Sequence, residues 1–165
     1  LAESWQNAPE EGNGRILGEV CHFVDLARFL TGSPIRSVQA VAADSVRGAC
    51  DDLTATLAFA DGSLATIAYT AKGDTAFSKE LFEAYAGGTV AVIDNFRKLT
   101  IIADGKEKKS GGLDQDKGHK GELTAFVDAV ASGGAAPVDE GELIESSLAT
   151  IAIGEALRSG KPVTF

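Results

Sequence analysis

His22 is the residue of this sequence best suited to acid–base chemistry. It lies in the stretch Gly14–Leu30, with Glu19 three residues before it and Asp25 three residues after it. Residues three apart are neighbours on a helix surface, so the spacing predicts that both carboxylates lie beside the imidazole. An imidazole titrates near neutral pH, and a neighbouring carboxylate can fix its tautomer and raise its basicity. A purely structural role is the alternative, because a lone helical histidine more often does no chemistry.

The stretch around His22 has the apolar period of an amphipathic helix. At about 100° per residue, one side collects an apolar stripe that predicts the core-facing side: Ile16, Leu17, Val20, Phe23, Val24, Ala27 and Leu30. The opposite side carries His22 with Leu26 and Phe29. Two large apolar residues beside a histidine predict that another surface covers this side. Gly32-Ser33-Pro34 is a stop signal, so the helix should end at about Thr31.

Asp25 and His119 are weaker candidates for substrate contact. An acid at the position of Asp25 more often pairs with a base such as Arg28, or holds the histidine, than contacts a substrate. His119 lies near the start of a later helix, where capping is the commoner role and substrate contact the rarer one. For Glu19, assisting His22 and simply facing solvent are about equally expected.

The two cysteines predict neither a disulfide framework nor a metal site. Cys21 adjoins His22, but adjacent helical residues point about 100° apart and no second pair completes a tetrahedral site. Cys21 and Cys50 are therefore expected to be reduced thiols of a cytoplasmic protein.

The composition excludes several classes of function. The chain has 165 residues, of which 44% are apolar and 24% charged, as is ordinary for a globular protein. Its net charge is −9 and its longest basic cluster is Lys106–Lys109, which argues against binding to nucleic acid or to an anionic membrane surface. No apolar run approaches the length of a membrane span.

The beginning of the chain predicts a connection from an upstream domain. The chain lacks methionine and starts at Leu1, which predicts a piece of a longer polypeptide. Residues 1–13 read as a linker remnant, and residues 14–165 are predicted to form one domain. Gly12-Asn13-Gly14 with Gly18 resembles half of a dinucleotide fingerprint. It lacks the third glycine and a preceding strand, so we predict no cofactor-binding residues here.

From Ile35 onwards the apolar period changes to alternation, which predicts strands. We expect about six in an antiparallel meander: residues 35–44, 53–59, 64–71, 81–86, 90–93 and 99–103. One face of the hairpin that turns at Asp61-Gly62 is apolar and needs helices over it: Leu53, Leu57, Phe59, Ile67 and Tyr69. The other face is small and uncharged: Thr54, Thr56, Ala58, Leu64, Thr66, Ala68 and Thr70. Such a flat face suits packing against its own copy, which predicts a homo-oligomer.

Two helices are predicted to close the chain after a polar loop over Lys106–Lys117, whose lysine run is expected at a solvated hairpin edge. The first of these helices should end at Gly133-Gly134 and carries Leu123, Phe126, Val127 and Val130. The second should begin at Asp139, with the capping-box partner Glu142, and end at Gly160. A block of strands flanked by helices predicts an α+β fold, an open, largely antiparallel sheet with helices packed on one face.

Three stretches carry a resemblance to a known family: GRILGEVCHFVDLARFLTGSP, FADGSLATIAYTAKGD and QDKGHKGELTAFVDAV. Together they resemble the C-terminal domain of the glucose–fructose oxidoreductase / inositol dehydrogenase / rhizopine catabolism (Gfo/Idh/MocA) family. Members pair an N-terminal Rossmann domain that binds NAD(P) with a C-terminal domain that holds an open sheet. The resemblance implies that this chain is the second domain, without the Rossmann domain.

The resemblance also implies a function, that of an NAD(P)-dependent oxidoreductase acting on a sugar, sugar nucleotide or cyclitol. In that family the helix histidine assists proton transfer at the substrate hydroxyl, and His22 matches its position. Many members carry an aspartate four residues earlier. Here Gly18 occupies that position and Glu19 follows it, so Glu19 is the tentative second catalytic residue. NAD or NADP would be bound mainly by the missing domain, and this chain alone should be inactive.

A different class remains open, a non-catalytic scaffold or binding module that keeps the fold for dimerisation. A glycine-rich strand–turn–helix and a lysine upstream of Leu1 would favour the enzyme, and their absence would favour the module.

Overall fold

The computed structural model describes residues 14–43 and 52–165. The chain divides into two compact units, one formed by Leu1–Lys72 with Val138–Phe165 and the other by Gly73–Pro137. The predicted linker remnant, Cys50 and the expected end of the first strand at Asp44 lie outside the described residues. The assignment of residues 14–165 to a single domain stays a prediction.

The described residues form three α-helices and eight strands, with a π-helical turn before the first helix. In chain order they are the π-helical turn (Ile16–Val20), α1 (Cys21–Thr31), β1 (Ile35–Ala42), β2 (Asp52–Phe59), β3 (Leu64–Thr70), β4 (Leu81–Ala86), β5 (Thr89–Asp94), β6 (Lys98–Ala103), β7 (Lys106–Gly111), α2 (His119–Ser132), α3 (Glu140–Ser159) and β8 (Val163–Thr164). The fold is α+β with open antiparallel sheets, as the sequence predicts. Within these ranges no helix is long and apolar enough to cross a membrane.

The ends of the helices follow the local chemistry. Gly32, Gly133 and Gly160 each adopt the left-handed conformation just after α1, α2 and α3, as the stop signals predict. Asp139 caps α3, because its carboxylate accepts the backbone N–H of Glu142. These predicted boundaries are confirmed.

The first unit holds a four-stranded sheet in the order β3-β2-β1-β8, all antiparallel, with α1 and α3 packed on one face. The core between sheet and helices contains every apolar residue predicted for that face of the hairpin except Tyr69, which is half-buried against it. Helix α3 contributes Ala149, Ala152, Ile153 and Ala156. None of the described residues of this unit covers the opposite face of the sheet, which confirms the predicted open face.

The predicted core stripe of the first helix is correct at its centre and wrong at its two ends. Val20 and Val24 are fully buried, and Ile16, Phe23 and Ala27 pack against the core. Leu17 and Leu30 are instead 38% and 56% exposed. The π-helical turn changes the angular step around Leu17, and Leu30 lies in the last turn of α1, one position before its end.

The second unit holds an antiparallel sheet in the order β4-β5-β6-β7, followed by α2. Every residue of this unit remains at least partly exposed, including the apolar side chains of α2. Gly111 must be glycine, since a Cβ there would lie 2.0 Å from the carbonyl oxygen of Arg97. The aromatic rings of Phe82 and Phe96 meet edge to face at 5.2 Å.

The strand predictions are confirmed for all six segments, with two corrections. The strands form two sheets of four rather than one meander, because β3 and β4 are edge strands of separate sheets; β8 and β7, which were not predicted, are the fourth strands. Lys106–Gly111 lacks any apolar alternation, so the expected polar loop is partly wrong: this segment is a strand held by backbone pairing to β6. Its lysines do lie at a solvated hairpin edge, as expected. Strand β8 has only two residues and pairs with Ser37 and Val38 of β1.

Candidate functional site

His22 lies on the exposed side of α1, one residue after the helix begins. Phe29, on the same side, is 74% exposed, and Leu26 is half-buried. The side of α1 opposite the core therefore presents an imidazole between apolar side chains, as the periodicity predicts. The histidine is open to solvent and to any molecule that docks there.

The helical stretch before His22 begins with a π-helical turn over Ile16–Val20. A π-turn closes its hydrogen bond one residue later than an α-turn, so one turn takes about one residue more. The position one turn before His22 is nearer to Gly18 than to Glu19, as it already is in an α-helix of about 3.6 residues per turn. Glu19 is half-buried and has an interaction partner.

Asp25 is directed toward α3. The hydroxyl of Ser146 donates a hydrogen bond to Asp25 Oδ1 at 3.1 Å. The expected pairing of Asp25 with Arg28 is replaced by other partners, because the Arg28 guanidinium contacts Glu145 at 2.9 Å and Glu142 at 3.3 Å. Asp25 and Arg28 thus both connect α1 to α3, and a substrate role for Asp25 stays a prediction.

The pKa of the Cys21 thiol is affected by burial and by the carboxylates on the same helical stretch. Partial burial raises the pKa of its thiol, and the nearby carboxylates of Glu19 and Asp25 raise it further. The thiol is free and more strongly protonated than usual, which makes it a poor nucleophile or metal ligand.

The start of the helical stretch is anchored on β3. Arg15 Nη1 donates to the hydroxyl of Tyr69 at 3.2 Å, and the ring of Phe23 meets the ring of Tyr69 edge to face at 6.4 Å. These contacts hold both ends of the segment that carries Gly18 and His22 on the sheet.

His119 belongs to the second unit, where it is the exposed first residue of α2. Gly118 occupies the N-cap position of α2, and that cap has no side-chain hydrogen bond. His119 is therefore not the capping residue. Its substrate contact stays a prediction.

A polar cluster that the sequence analysis missed lies at one end of the open sheet face. Asp52 accepts hydrogen bonds from the Thr70 hydroxyl and the Ala71 N–H, and Lys72 lies 3.3 Å from its carboxylate. An adjoining depression of about 420 Å³ is lined by Val41, Thr54, Ala68 and Tyr69, among others. The alternation of β2 places Asp52 on the same face as Thr54, which could have identified the cluster.

The described residues do not fit a nicotinamide cofactor or a metal ion. The sole direct strand-to-helix connection in these ranges is that from β7 to α2, and β7 belongs to an antiparallel sheet. Residues 112–118 separate the two elements, whereas a dinucleotide site needs a tight glycine turn after a parallel strand. Nowhere in residues 14–43 and 52–165 do three or more His, Cys, Asp or Glu side chains form a group that could hold a metal.

Comparison with known proteins defines the class. The GFO/IDH/MocA C-terminal domain family matches residues 1–82, which contain α1 and the first hairpin. The chain is a C-terminal domain of the Gfo/Idh/MocA oxidoreductase family. No curated protein matches the chain significantly.

Solved structures share the fold. The aldose-aldose oxidoreductase from Caulobacter crescentus, complexed with glycerol, is 17% identical with a TM-score of 0.83, over 100% of this chain and 52% of that one. The UDP-N-acetylglucosamine 3-dehydrogenase from Acidithiobacillus ferrooxidans is 20% identical with a TM-score of 0.74, over 87% and 47%. An oxidoreductase from Agrobacterium radiobacter, in complex with NAD+, L-tartaric acid and magnesium, is 15% identical with a TM-score of 0.75, over 90% and 48%. The chain thus spans about half the length of these proteins.

Proposed function

We propose that this chain is the substrate-binding and oligomerisation domain of an NAD(P)-dependent oxidoreductase that acts on a hydroxyl group of a sugar, sugar nucleotide or cyclitol. The family supports the oxidoreductase class, and two of the relatives are named for sugar or sugar-nucleotide substrates. The exposed imidazole of His22 on α1 is the observation on which the proposal rests. The cytoplasm is the proposed location, in keeping with the free thiol of Cys21.

In the proposed reaction His22 handles the proton of the substrate hydroxyl. When an alcohol is oxidised, its O–H proton passes to the imidazole, and the histidine returns a proton in the reverse direction. NAD or NADP, bound outside this domain, would supply the hydride acceptor. The apolar Leu26 and Phe29 would border the site and limit water around the imidazole.

The other candidate residues take supporting roles. Glu19, three residues before His22, is the proposed second acid. Asp25 is proposed to position α1 through Ser146, with substrate contact as its lesser role. For His119 the proposed role is contact with the substrate.

The test replaces His22 with Ala and with Gln in the full-length protein. We expect kcat/KM to fall roughly 10²–10⁴-fold in both variants, the usual contribution of a positioned acid–base group. The dissociation constant for NADH, measured by fluorescence titration, should hardly change, because the cofactor is held elsewhere. Leu113→Ala, a change at an exposed loop residue, serves as the control and should keep normal kinetics.

The substrate is found by screening aldoses, UDP-sugars and inositols with NAD+ and NADP+. A His22→Ala variant with turnover near that of the native enzyme would return His22 to a structural role. Absence of turnover with every pair would favour the non-catalytic module.

A further inference from the structure

Gly18 is a glycine that the fold of this domain does not require. It lies inside the π-helical turn, where its N–H donates to the carbonyl of Gly14 at 3.2 Å. Its φ is not positive, so its backbone suits any residue. Apart from its chain neighbours and the backbone of its own helix, a Cβ built at this position meets no atom of the described residues within 4 Å. Alanine would fit here and would strengthen the helix, because glycine loses more conformational freedom on folding.

Most other glycines of the described chain have a local reason. Gly32, Gly133 and Gly160 end helices with positive φ, and Gly111 avoids a clash with Arg97. Gly121 in α2 resembles Gly18, since it is helical and a Cβ there would also meet open space. It lies far along the sequence from the His22 segment and offers a matched control.

The open space beside Gly18 lies on the side of the helix that carries His22. Gly18 lies four residues, about one helical turn, before His22 on the same side of the helix. Side chains one turn apart are separated by about 5–6 Å, roughly the breadth of a sugar ring. A ring whose hydroxyl meets the His22 imidazole would therefore extend over Gly18, where a bare backbone allows close approach.

We propose that Gly18 determines substrate specificity by leaving room beside His22 for the ring of a cyclic polyol or for a substituent on that ring. The inference rests on the proposed function and names one residue that shapes its site. A side chain at position 18 would occupy this room and force the ring away from the imidazole. The effect should grow with side-chain size, with alanine tolerated less well than glycine and valine less well than alanine.

The kinetic test compares Gly18→Ala and Gly18→Val with Gly121→Ala in the full-length enzyme. We expect KM to rise at least tenfold for Gly18→Ala and further for Gly18→Val, with a smaller change in kcat. Gly121→Ala should leave both constants unchanged. Both alanine variants should melt at the native temperature or slightly above it, so that lost binding cannot be ascribed to unfolding. Unchanged KM in the Gly18 variants would overturn the proposal.

A second test does not depend on turnover. Gly18→Cys is made in the full-length protein with Cys21→Ser and Cys50→Ser, and the introduced thiol is titrated with a small maleimide. The probes are glucose, UDP-N-acetylglucosamine and myo-inositol, each with NAD+ or NADP+. We expect rapid labelling of the free protein and at least tenfold slower labelling with at least one of these sugars.

The outcomes separate this inference from the proposed function. A thiol that is unreactive in the free protein would show that another part of the protein covers Gly18, and would overturn the inference. A reactive thiol that no sugar protects would overturn it as well. Protection by a sugar that is never oxidised would support the role of Gly18 and refute the oxidoreductase reaction.

Discussion

The carboxylate of Asp52 is held ionised by its neighbours. The Thr70 hydroxyl donates to Oδ1, the Ala71 N–H donates to the same oxygen at 3.1 Å, and Lys72 lies 3.3 Å from Oδ2. The Thr70 hydrogen bond contributes most to lowering the pKa of Asp52, followed by the Ala71 and Lys72 contacts. Each of these contacts favours the charged form of the acid.

Replacing Thr70 with Val should therefore raise the pKa of Asp52 toward the ordinary aspartate value of about 3.9. A carboxyl with a lowered folded pKa stabilises the fold above its unfolded pKa, and that contribution is lost as pH falls through the folded value. The stability difference between the native chain and Thr70→Val should thus persist at neutral pH and shrink below about pH 4. Carbon-13 NMR titration of the Asp52 carboxyl measures the shift.

Thr66→Val is the matched control, since Thr66 lies on the same face of β3 but pairs with Thr56. The Asp52 titration should be unchanged in that variant. An Asp52 titration identical in the native and Thr70→Val chains would contradict the assignment.

Single residues were predictable where their own helix decides their exposure. His22 lies on the expected side of α1 because the apolar period fixes which side faces the core. The partner of Asp25 was not predictable, because Ser146 lies 121 positions away and reaches Asp25 only through the packing of α3. Sequence spacing lists neighbours on one helix and says nothing about the helix beside it.

Three elements of the first unit meet at one ion cluster. Arg28 of α1 is buried and binds Glu145 and Glu142 of α3, while Glu145 also accepts the backbone N–H of Ile35 at the start of β1. The hydrogen bond to Glu145 raises the pKa of Arg28, so the guanidinium stays charged. The cluster fixes α1 on α3 and thereby fixes the side of α1 that carries His22.

Replacing Arg28 with Met should destabilise the chain by about 1.5–3 kcal/mol, because Glu145 would lose a charged partner in a partly buried site. The free energy of unfolding is measured by urea denaturation followed by circular dichroism. Arg36→Met is the control, since Arg36 is exposed on β1 and should change stability by less than about 0.5 kcal/mol. Equal stabilities for the two variants would show that the cluster contributes nothing.

Elements were predictable where burial imposes a period. The apolar face of the β2–β3 hairpin and the caps of α3 follow from alternation and from Asp139. Strand β7 has no such signal, because six exposed residues are held by backbone pairing alone. The π-turn also leaves no periodic mark, because it spans only five residues.

At the scale of the whole molecule, the absence of a cofactor site among the described residues has a direct consequence. This chain by itself should show no dehydrogenase turnover and no measurable affinity for NADH, because the described residues offer no glycine turn to a pyrophosphate. Isothermal titration calorimetry of the chain with NADH and NADPH tests this expectation. Full-length protein under the same buffer conditions is the positive control, and micromolar binding by the chain alone would refute the expectation.

We expect a homo-oligomer because of the residues on the open face of the first sheet. Across β1, β2 and β3 the aligned rows Gln39–Thr56–Thr66 and Val41–Thr54–Ala68 are uncharged, and Leu64 on this face is 71% exposed. A flat neutral face of several strands suits a second copy, and a standard interface needs roughly 800 Å² per partner. The alternative is that an upstream domain packs on this face. Under the proposed function, however, that domain must contact the His22 side of α1.

Thr66→Lys should therefore shift the chain toward monomer, because a lysine on the face that packs against a second copy would be buried without a partner. Sedimentation equilibrium should give a dimer or larger for the native chain and a lower mass for the variant. Thr124→Lys, at an exposed position of α2, adds the same charge at a residue that is not part of this sheet and should keep the native mass. Because a weak dimer dissociates on dilution, the comparison is made up to high micromolar concentration. A native chain that stays monomeric there would show that this face does not join two copies.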